Sequence, residues 1–173
     1  FKNNSNLSAS TTLPYFWAIT KDKDMTITPK IYTAENLLLM NEYRQAFRNG
    51  FWIVDSSYTK GYKNTNDTKL PGGRSHLFSK LTLDFSEENY SSNLEANYQH
   101  VSNSTYLKVY DINTELVKKE ENILKSDINY EFQDSEIFLG MSASMFEDTS
   151  VIDRSRYEYV LPNLAFERNI FSD

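Results

Sequence analysis

The chain contains no cysteine among its 173 residues, so it can build neither a disulfide nor a thiolate metal site of its own. Glycine occurs only five times and proline four times, which is sparse for an ordinary soluble sandwich with many tight turns. No apolar run approaches the ~18 residues that suggest a transmembrane helix, and no signal-peptide pattern is visible at the start. Charge is not blocked into patches: 18 basic residues face 24 acidic ones for a net charge of −6, and without a basic patch no nucleic-acid partner is expected. His76 and His100 are far apart and have no ligand spacing around them, so no metal site is expected. Nothing arranges the carboxylates into an acid/base pair, and there is no Gly-rich phosphate loop or nucleophile motif. The expectation is therefore no catalytic residue and no cofactor.

What is present is an unusual pairing of properties. Mean hydropathy is −0.59, yet aromatics make up 14% of the chain, with 12 Tyr and 11 Phe. A disordered chain would be polar but poor in aromatics. A chain both polar and aromatic fits strands that meet lipid on one face and water on the other.

The alternation supports this. From Leu7 to Ile19, the residues Leu7, Ala9, Thr11, Leu13, Tyr15, Trp17 and Ile19 fall on one side, with Ser8, Ser10, Thr12, Pro14, Phe16 and Ala18 on the other. A polar turn, Thr20 to Asp24, leads to a second run in which Met25, Ile27, Pro29 and Ile31 alternate with Thr26, Thr28 and Lys30. Period-two alternation of this kind makes a two-faced hairpin. The unit repeats. Leu37, Leu39, Tyr43 and Phe47 oppose Glu42 and Arg44, with a break at Met40-Asn41. Phe51 to Thr59 follows, and either Trp52, Val54 and Tyr58 or Phe51 and Ile53 face outward. Leu77, Leu81, Leu83 and Phe85 oppose His76, Phe78, Lys80, Thr82 and Asp84. Tyr90, Leu94, Ala96 and Tyr98 oppose Asn93, Glu95, Asn97 and Gln99. Leu124, Ile128, Tyr130 and Phe132 oppose Lys125, Asp127, Asn129 and Glu131. Ile137 to Met145 and about Arg156 to Asn169 complete the series.

The connections sort by length. Residues 20–24, 48–50, 86–89 and 133–135 are short, whereas 60–73, 101–122 and 147–155 are long. The longest has room for a short helical piece around Leu107 to Leu116. Short turns on one side and long loops on the other, joining strands of roughly ten residues, are the pattern of an outer-membrane barrel. The expected fold is all-β: an antiparallel up-and-down meander of about nine strands, forming a single open arc of a large outer-membrane β-barrel. Nine is an odd and small number for such a barrel, and Phe1 in place of Met hints at an excerpt. Two open edges and a lipid-facing band predict that the piece is not stable alone.

Four stretches carry a family resemblance. Thr12 to Ile19 reads TLPYFWAI and is followed by DMTITPK from Asp24 to Lys30. Asn36 to Arg44 reads NLLLMNEYR, Tyr98 to Leu107 reads YQHVSNSTYL, and Tyr159 to Leu164 reads YVLPNL. Taken in this order they resemble the barrel domain of the LptD (OstA) family of lipopolysaccharide-assembly outer-membrane proteins. Asn103 stands where that family usually has Asp, and Met40-Asn41 replaces small residues. The resemblance implies an outer-membrane location and a parent protein that inserts lipopolysaccharide into the outer leaflet. Its implied partners are lipopolysaccharide, outer-membrane lipid, an LptE-type plug lipoprotein in the lumen, and a periplasmic lipopolysaccharide bridge reached through an amino-terminal jellyroll. It also implies that Pro14 lies near the lateral seam, where a missing N–H weakens strand pairing; Pro29 is expected only to mark a strand end. Tyr15, Trp17, Tyr43, Tyr90, Tyr98 and Tyr130 are the expected interfacial aromatics. Glu42, Arg44, Lys80, Asp84, Glu95, Lys125, Asp127 and Glu131 are expected to line a hydrated lumen, paired across strands. A porin-like or receptor barrel and a soluble all-β glycan-binding module are the competing expectations.

Overall fold

A computed structural model describes residues 2–4, 7–151 and 154–170. They form strands β1 (Lys2–Asn4), β2 (Ser8–Thr12), β3 (Tyr15–Thr20), β4 (Lys23–Tyr32), β5 (Leu38–Phe47), β6 (Gly50–Thr59), β7 (Arg74–Asp84), β8 (Ser91–Val101), β9 (Ile123–Gln133), β10 (Ile137–Asp148) and β11 (Tyr157–Arg168). The only α-helix among the described residues is α1 (Tyr106–Tyr110), one turn long. Every strand joins a single antiparallel sheet in chain order, and the sheet is not closed, since β1 and β11 lie at its opposite ends.

Two differences from the sequence expectation have local causes. The run from Leu7 to Ile19 is two strands in one position, because β2 and β3 both pair with β4 and the break falls at Leu13-Pro14. The register is unchanged across the break: Thr12 faces Lys30 and Tyr15 faces Ile27. Leu7 precedes β2 and is buried in the core cluster instead of continuing the exposed apolar row. The sheet also gains β1, whose Asn3 faces Ala9.

Short turns form where an Asp can cap the chain reversal. Asp134 Oδ1 accepts from the N–H of Glu136 at 2.8 Å and of Ile137 at 2.7 Å, and Asp84 Oδ1 accepts from the N–H of Ser86 at 2.8 Å. Side chains of this kind mimic a backbone turn. Gly50, at the start of β6, lies so close to β7 that an added Cβ would clash with the Thr82 carbonyl oxygen.

The ladder settles the faces. Met25, Tyr43, Val54, Ser79 and Tyr98 form one continuous rung, and Asp24, Arg44, Ile53, Lys80, Asn97, Asp127 and Ser144 form the adjacent one. Neighbouring rungs point to opposite faces. Trp52, Val54 and Tyr58 therefore share the apolar face with Tyr43 and Leu81, and Phe51 and Ile53 turn to the other.

That other face carries the core. The segment 102–122 does not stand away from the sheet but folds across it, burying Tyr106, Leu107, Tyr110, Ile112 and Val117 against Tyr32, Leu38, Phe78 and Val101. This explains the apolar residues that interrupt the polar rows. Leu38, Met40 and Phe78 lie on the polar face because the segment covers them. Phe78 is fully buried, so Phe78→Ala is expected to cost about 3–5 kcal/mol through lost burial and a residual cavity. The midpoint of urea unfolding measures it; a fall no larger than that of a surface substitution would show that the segment does not dock as described.

Candidate functional site

The site is a wall with a roof. On the wall, the ladder register brings Glu42, Arg44, Lys80, Asp84, Glu95, Asp127 and Glu131 to one face, with Lys125 two residues from Asp127 on the same strand. They pair with one another and with neighbours. Arg44 Nε lies 3.0 Å from Asp24 and 3.6 Å from Glu42. Lys80 Nζ lies 3.1 Å from Glu95, and Lys125 Nζ lies 3.4 Å from Asp127. Asn97 donates to Asp127 at 3.2 Å and links β8 to β9. Asp84 is not in this network; its carboxylate caps the β7–β8 turn. Glu131 carries no ion pair among the described residues. These pairs are partly solvated, and each contributes at most about 1 kcal/mol. Their effect is to make one face of the sheet uniformly hydrophilic.

The roof is held by a few buried polar bonds. Lys30 Nζ donates to the Tyr110 carbonyl at 2.7 Å, from β4 into α1. Ser57 Oγ lies 2.6 Å from the Tyr106 hydroxyl and 2.7 Å from His76 Nδ1, a three-residue chain joining β6, β7 and α1. Tyr110 stacks on Tyr62 of the 60–73 loop at 6.3 Å between centroids. Asp111 takes φ 52° to end α1, and its own N–H bonds back to Lys108. Burial pushes the Tyr110 phenol up to about 12, with Tyr62 adding to the effect. Burial raises the phenols of Tyr106 and Tyr62 as well.

A second clasp lies at the long-loop end. Glu147 is fully buried, with His100 Nδ1 3.0 Å from Oε2 and Arg156 Nη2 3.2 Å from Oε1. Arg156 also donates to the Tyr157 hydroxyl at 2.6 Å. β8, β10 and the start of β11 are thereby tied together. Sequence reasoning missed this clasp, and missed Lys30, Asp55 and Tyr106 too. The signal for Glu147 was faint: it extends the alternating row of Ala143 and Met145 by one more step.

The opposite face is apolar and uncovered except at its long-loop end, where His100, which faces Leu77, and the buried Glu147 form the clasp. Tyr15, Trp17, Tyr43, Tyr98 and Tyr130 all fall on it by register. Trp17, Tyr43 and Tyr98 reach a common rung, while Tyr130 lies four residues nearer the short turns. Tyr90 closes the β7–β8 turn and packs on Phe132 at 5.6 Å. Leu39, Tyr58, Leu77, Ile128, Met141 and Leu164 are exposed on this face. Several of its polar atoms are paired within it: Trp52 Nε1 donates to Ser79 Oγ at 2.8 Å, Tyr43 donates to Gln45 at 2.7 Å, and Ser92 Oγ lies 3.2 Å from the Tyr130 hydroxyl.

Pro14 has a specific geometry. Leu13 N donates to the Pro29 carbonyl at 3.2 Å, and Thr33 N donates to the Ala9 carbonyl at 3.0 Å. Odd residues of this strand position thus bond to β4, and alternation turns the nitrogen of Pro14 to the other edge. That is the edge which β1 occupies farther along, where Lys2 faces Ser10. The proline that removes a bond between this strand position and β4 is Pro29, inside β4, which has no N–H to return to Leu13.

The fold and the split of its faces define a class: antiparallel meander walls with one solvated, ion-paired side and one apolar side. Comparison with known proteins narrows this. The chain is 25% identical to the LPS-assembly protein LptD of two Legionella pneumophila strains, Lens and Paris, over 128 residues, which is 68% of this chain and 15% of each relative. It is 26% identical to the LPS-assembly protein LptD of Pseudoalteromonas translucida over 113 residues, 65% of this chain and 14% of the relative. The chain thus spans about 15% of the length of the curated relatives it matches. No family model matches it.

The tyrosine shifts give a pH dependence with a definite sign. The folded phenols titrate above the ordinary value near 10, so the docked roof favours their neutral form. Its contribution is full below pH ~10 and is lost as pH rises from about 10 through about 12. Near-ultraviolet circular dichroism against pH should therefore report release of α1 in that window, and Tyr110→Phe should flatten the transition. A roof whose signal is unchanged to pH 12 would contradict the burial of these hydroxyls.

Proposed function

We propose that this wall is part of a transmembrane barrel in the outer membrane, and that the protein takes part in assembling lipopolysaccharide into the outer leaflet. The observation that carries the reading is the division of one sheet into a bare apolar face and an ion-paired polar face, in a chain similar to curated LptD proteins. The long strands contain 10 to 12 residues, and a tilted strand of about 9–11 residues crosses a bilayer. An exposed apolar sheet face of this extent is unfavourable in water and suited to lipid. The paired hydroxyls and indole on the bare face fit too, because a polar atom in hydrocarbon without a partner costs several kcal/mol.

On this reading the polar face is the lumen wall. Glu42, Arg44, Lys80, Asp84, Glu95, Lys125, Asp127 and Glu131 are its lining, and a plug lipoprotein of the LptE type is the partner that meets it. The aromatic side chains Tyr15, Trp17, Tyr43, Tyr90, Tyr98 and Tyr130 meet lipid and its head groups. A periplasmic bridge delivers the lipid. A passive channel fits less well, because segment 102–122 lies across the polar face and narrows any pore there. A soluble sandwich fits less well still, since no second sheet covers the bare face among the described residues.

Pro14 is the proposed weak point of the lateral seam. Its missing N–H lies on the strand edge away from β4, where the next strand of the wall pairs. Pro14→Ala returns a donor to that edge, and one more ladder bond stabilises it by about 1 kcal/mol. Surface lipopolysaccharide in cells depending on the Pro14→Ala protein is expected to fall, whereas depletion of the unaltered protein should abolish it. Wild-type export by the variant would sink the seam role, and unchanged surface lipopolysaccharide after depletion would sink the assembly role itself.

A further inference from the structure

Between wall and roof lies a cavity of 190 Å³. Its floor is Glu42 of β5, Asp55 of β6 and His76 of β7; its roof includes Thr114 and Glu115 from segment 102–122. Asp55 is 6% exposed, and its Oδ2 has no hydrogen-bond partner. His76 is 3% exposed, and its Nε2 has none either. Buried polar atoms in native structures are nearly always partnered, and exceptions mark a function or a missing occupant. The Asp55 carboxyl is bonded to Thr114 of the roof, which leaves Oδ2 open, and the unpartnered His76 Nε2 is a sign of an occupant independent of the three carboxylates gathered there.

The cations nearby are committed elsewhere. Arg44 is held by Asp24 and lies 3.6 Å from Glu42. Lys118 Nζ donates to the Thr114 carbonyl at 2.7 Å, and Lys30 Nζ to the Tyr110 carbonyl. Asp55 forms no ion pair among the described residues. An anion is excluded by the sign of Glu42, Asp55 and Glu115. A metal ion does not fit, because no group of three His, Asp or Glu among the described residues is arranged to hold one. What remains is a cation that donates hydrogen bonds and is small enough for the space.

We propose that this cavity binds the head group of an organic cation, an ammonium or a guanidinium, through Asp55 with Glu42 and Glu115 supplying the field. Such a group forms charge-assisted bonds to the free carboxylate oxygen. Its source is either a Lys or Arg side chain of a polypeptide entering beside the roof or a free polyamine. The site does not depend on the lipid-export reading, since this chain alone bounds the cavity.

Titration calorimetry on the full-length protein in detergent micelles tests it, with methylguanidinium chloride as probe. Tetramethylammonium chloride has the same charge and no donor. Saturable methylguanidinium binding is expected, weakened about tenfold or more by Asp55→Asn through the lost charged hydrogen bond, with no saturable tetramethylammonium binding. Equal, unsaturable responses from wild type and Asp55→Asn would overturn the proposal and leave a water-filled cavity. Should Asp55→Asn fail to assemble, Glu115→Gln on the exposed roof decides: about twofold weakening supports the site, and no change overturns it. A photo-cross-linking residue in place of Asn113 then separates the sources in cells. A cross-linked polypeptide assigns a side chain, and methylguanidinium binding without a cross-link assigns a free amine.

Discussion

The constraint on which this molecule depends is that a strand must satisfy its own backbone sideways while its side chains go up or down. Most N–H and C=O groups of the sheet find a partner in the adjacent strand, so the two faces are free to meet different surroundings. The register holds from β4 through β10 without a bulge inside the ladder pairs, which keeps Tyr43, Val54 and Tyr98 on one face and Arg44, Lys80 and Asp127 on the other. A one-residue slip anywhere would exchange the faces. The two shifts among the described residues, between Ala18 and Thr20 against β4 and between Ser142 and Ser144 against β11, lie toward the ends of the sheet.

Given that constraint, the interior is made by a loop and not by a second sheet. Segment 102–122 brings five buried apolar side chains to a wall that is otherwise hydrophilic. Its backbone cannot join the ladder, so it is anchored by side chains from below: Lys30, Ser57 and, through Ser57, His76. Asp55 Oδ2 and His76 Nε2, both beneath this roof, are among the buried atoms without a hydrogen-bond partner in the protein. Hydrophobic burial dominates the docking; polar satisfaction is incomplete. That imbalance creates the acidic cavity.

Most of the strands were legible from alternation, because a face that is wholly apolar or wholly charged has period two. The pattern blurred where the surroundings of one face change along the strand. Met40 and Phe78 interrupted polar rows because the roof covers them, and nothing local announces that a distant loop will fold back. The faces of Phe51 to Thr59 stayed undecided for the same reason, since Ile53 is buried on the polar side while Trp52 is half-covered on the other. The charged residues on the polar face were readable because charge alternates against Leu and Tyr. The Glu147 clasp was not, because its partners are His100, 47 residues away in β8, and Arg156, nine residues away in the turn before β11. The split of the first strand was half legible. Pro14 signalled an interruption, but only the parity of hydrogen bonding reveals toward which neighbour.

That parity turns two prolines into a directional device. Pro29, in β4, removes a bond to Leu13 between β2 and β3, and Pro14 removes one from the far side of that strand position, at the adjacent rung. A single missing ladder bond is tolerable when its neighbours on both sides are intact. Here the weakening is local to the middle of the first full strand position, while β2 and β3 remain paired above and below it. The rest of the sheet, from β5 to β10, has no proline in any strand. Pro162 in β11 lies opposite the shift at the other end. Prolines of the strands are thus confined to the two ends of the open sheet, whereas in its middle the β8–β9 ladder ends at Asn97 and Asp127 and side chains of Gln99 and Ser126 bridge the strands beyond it.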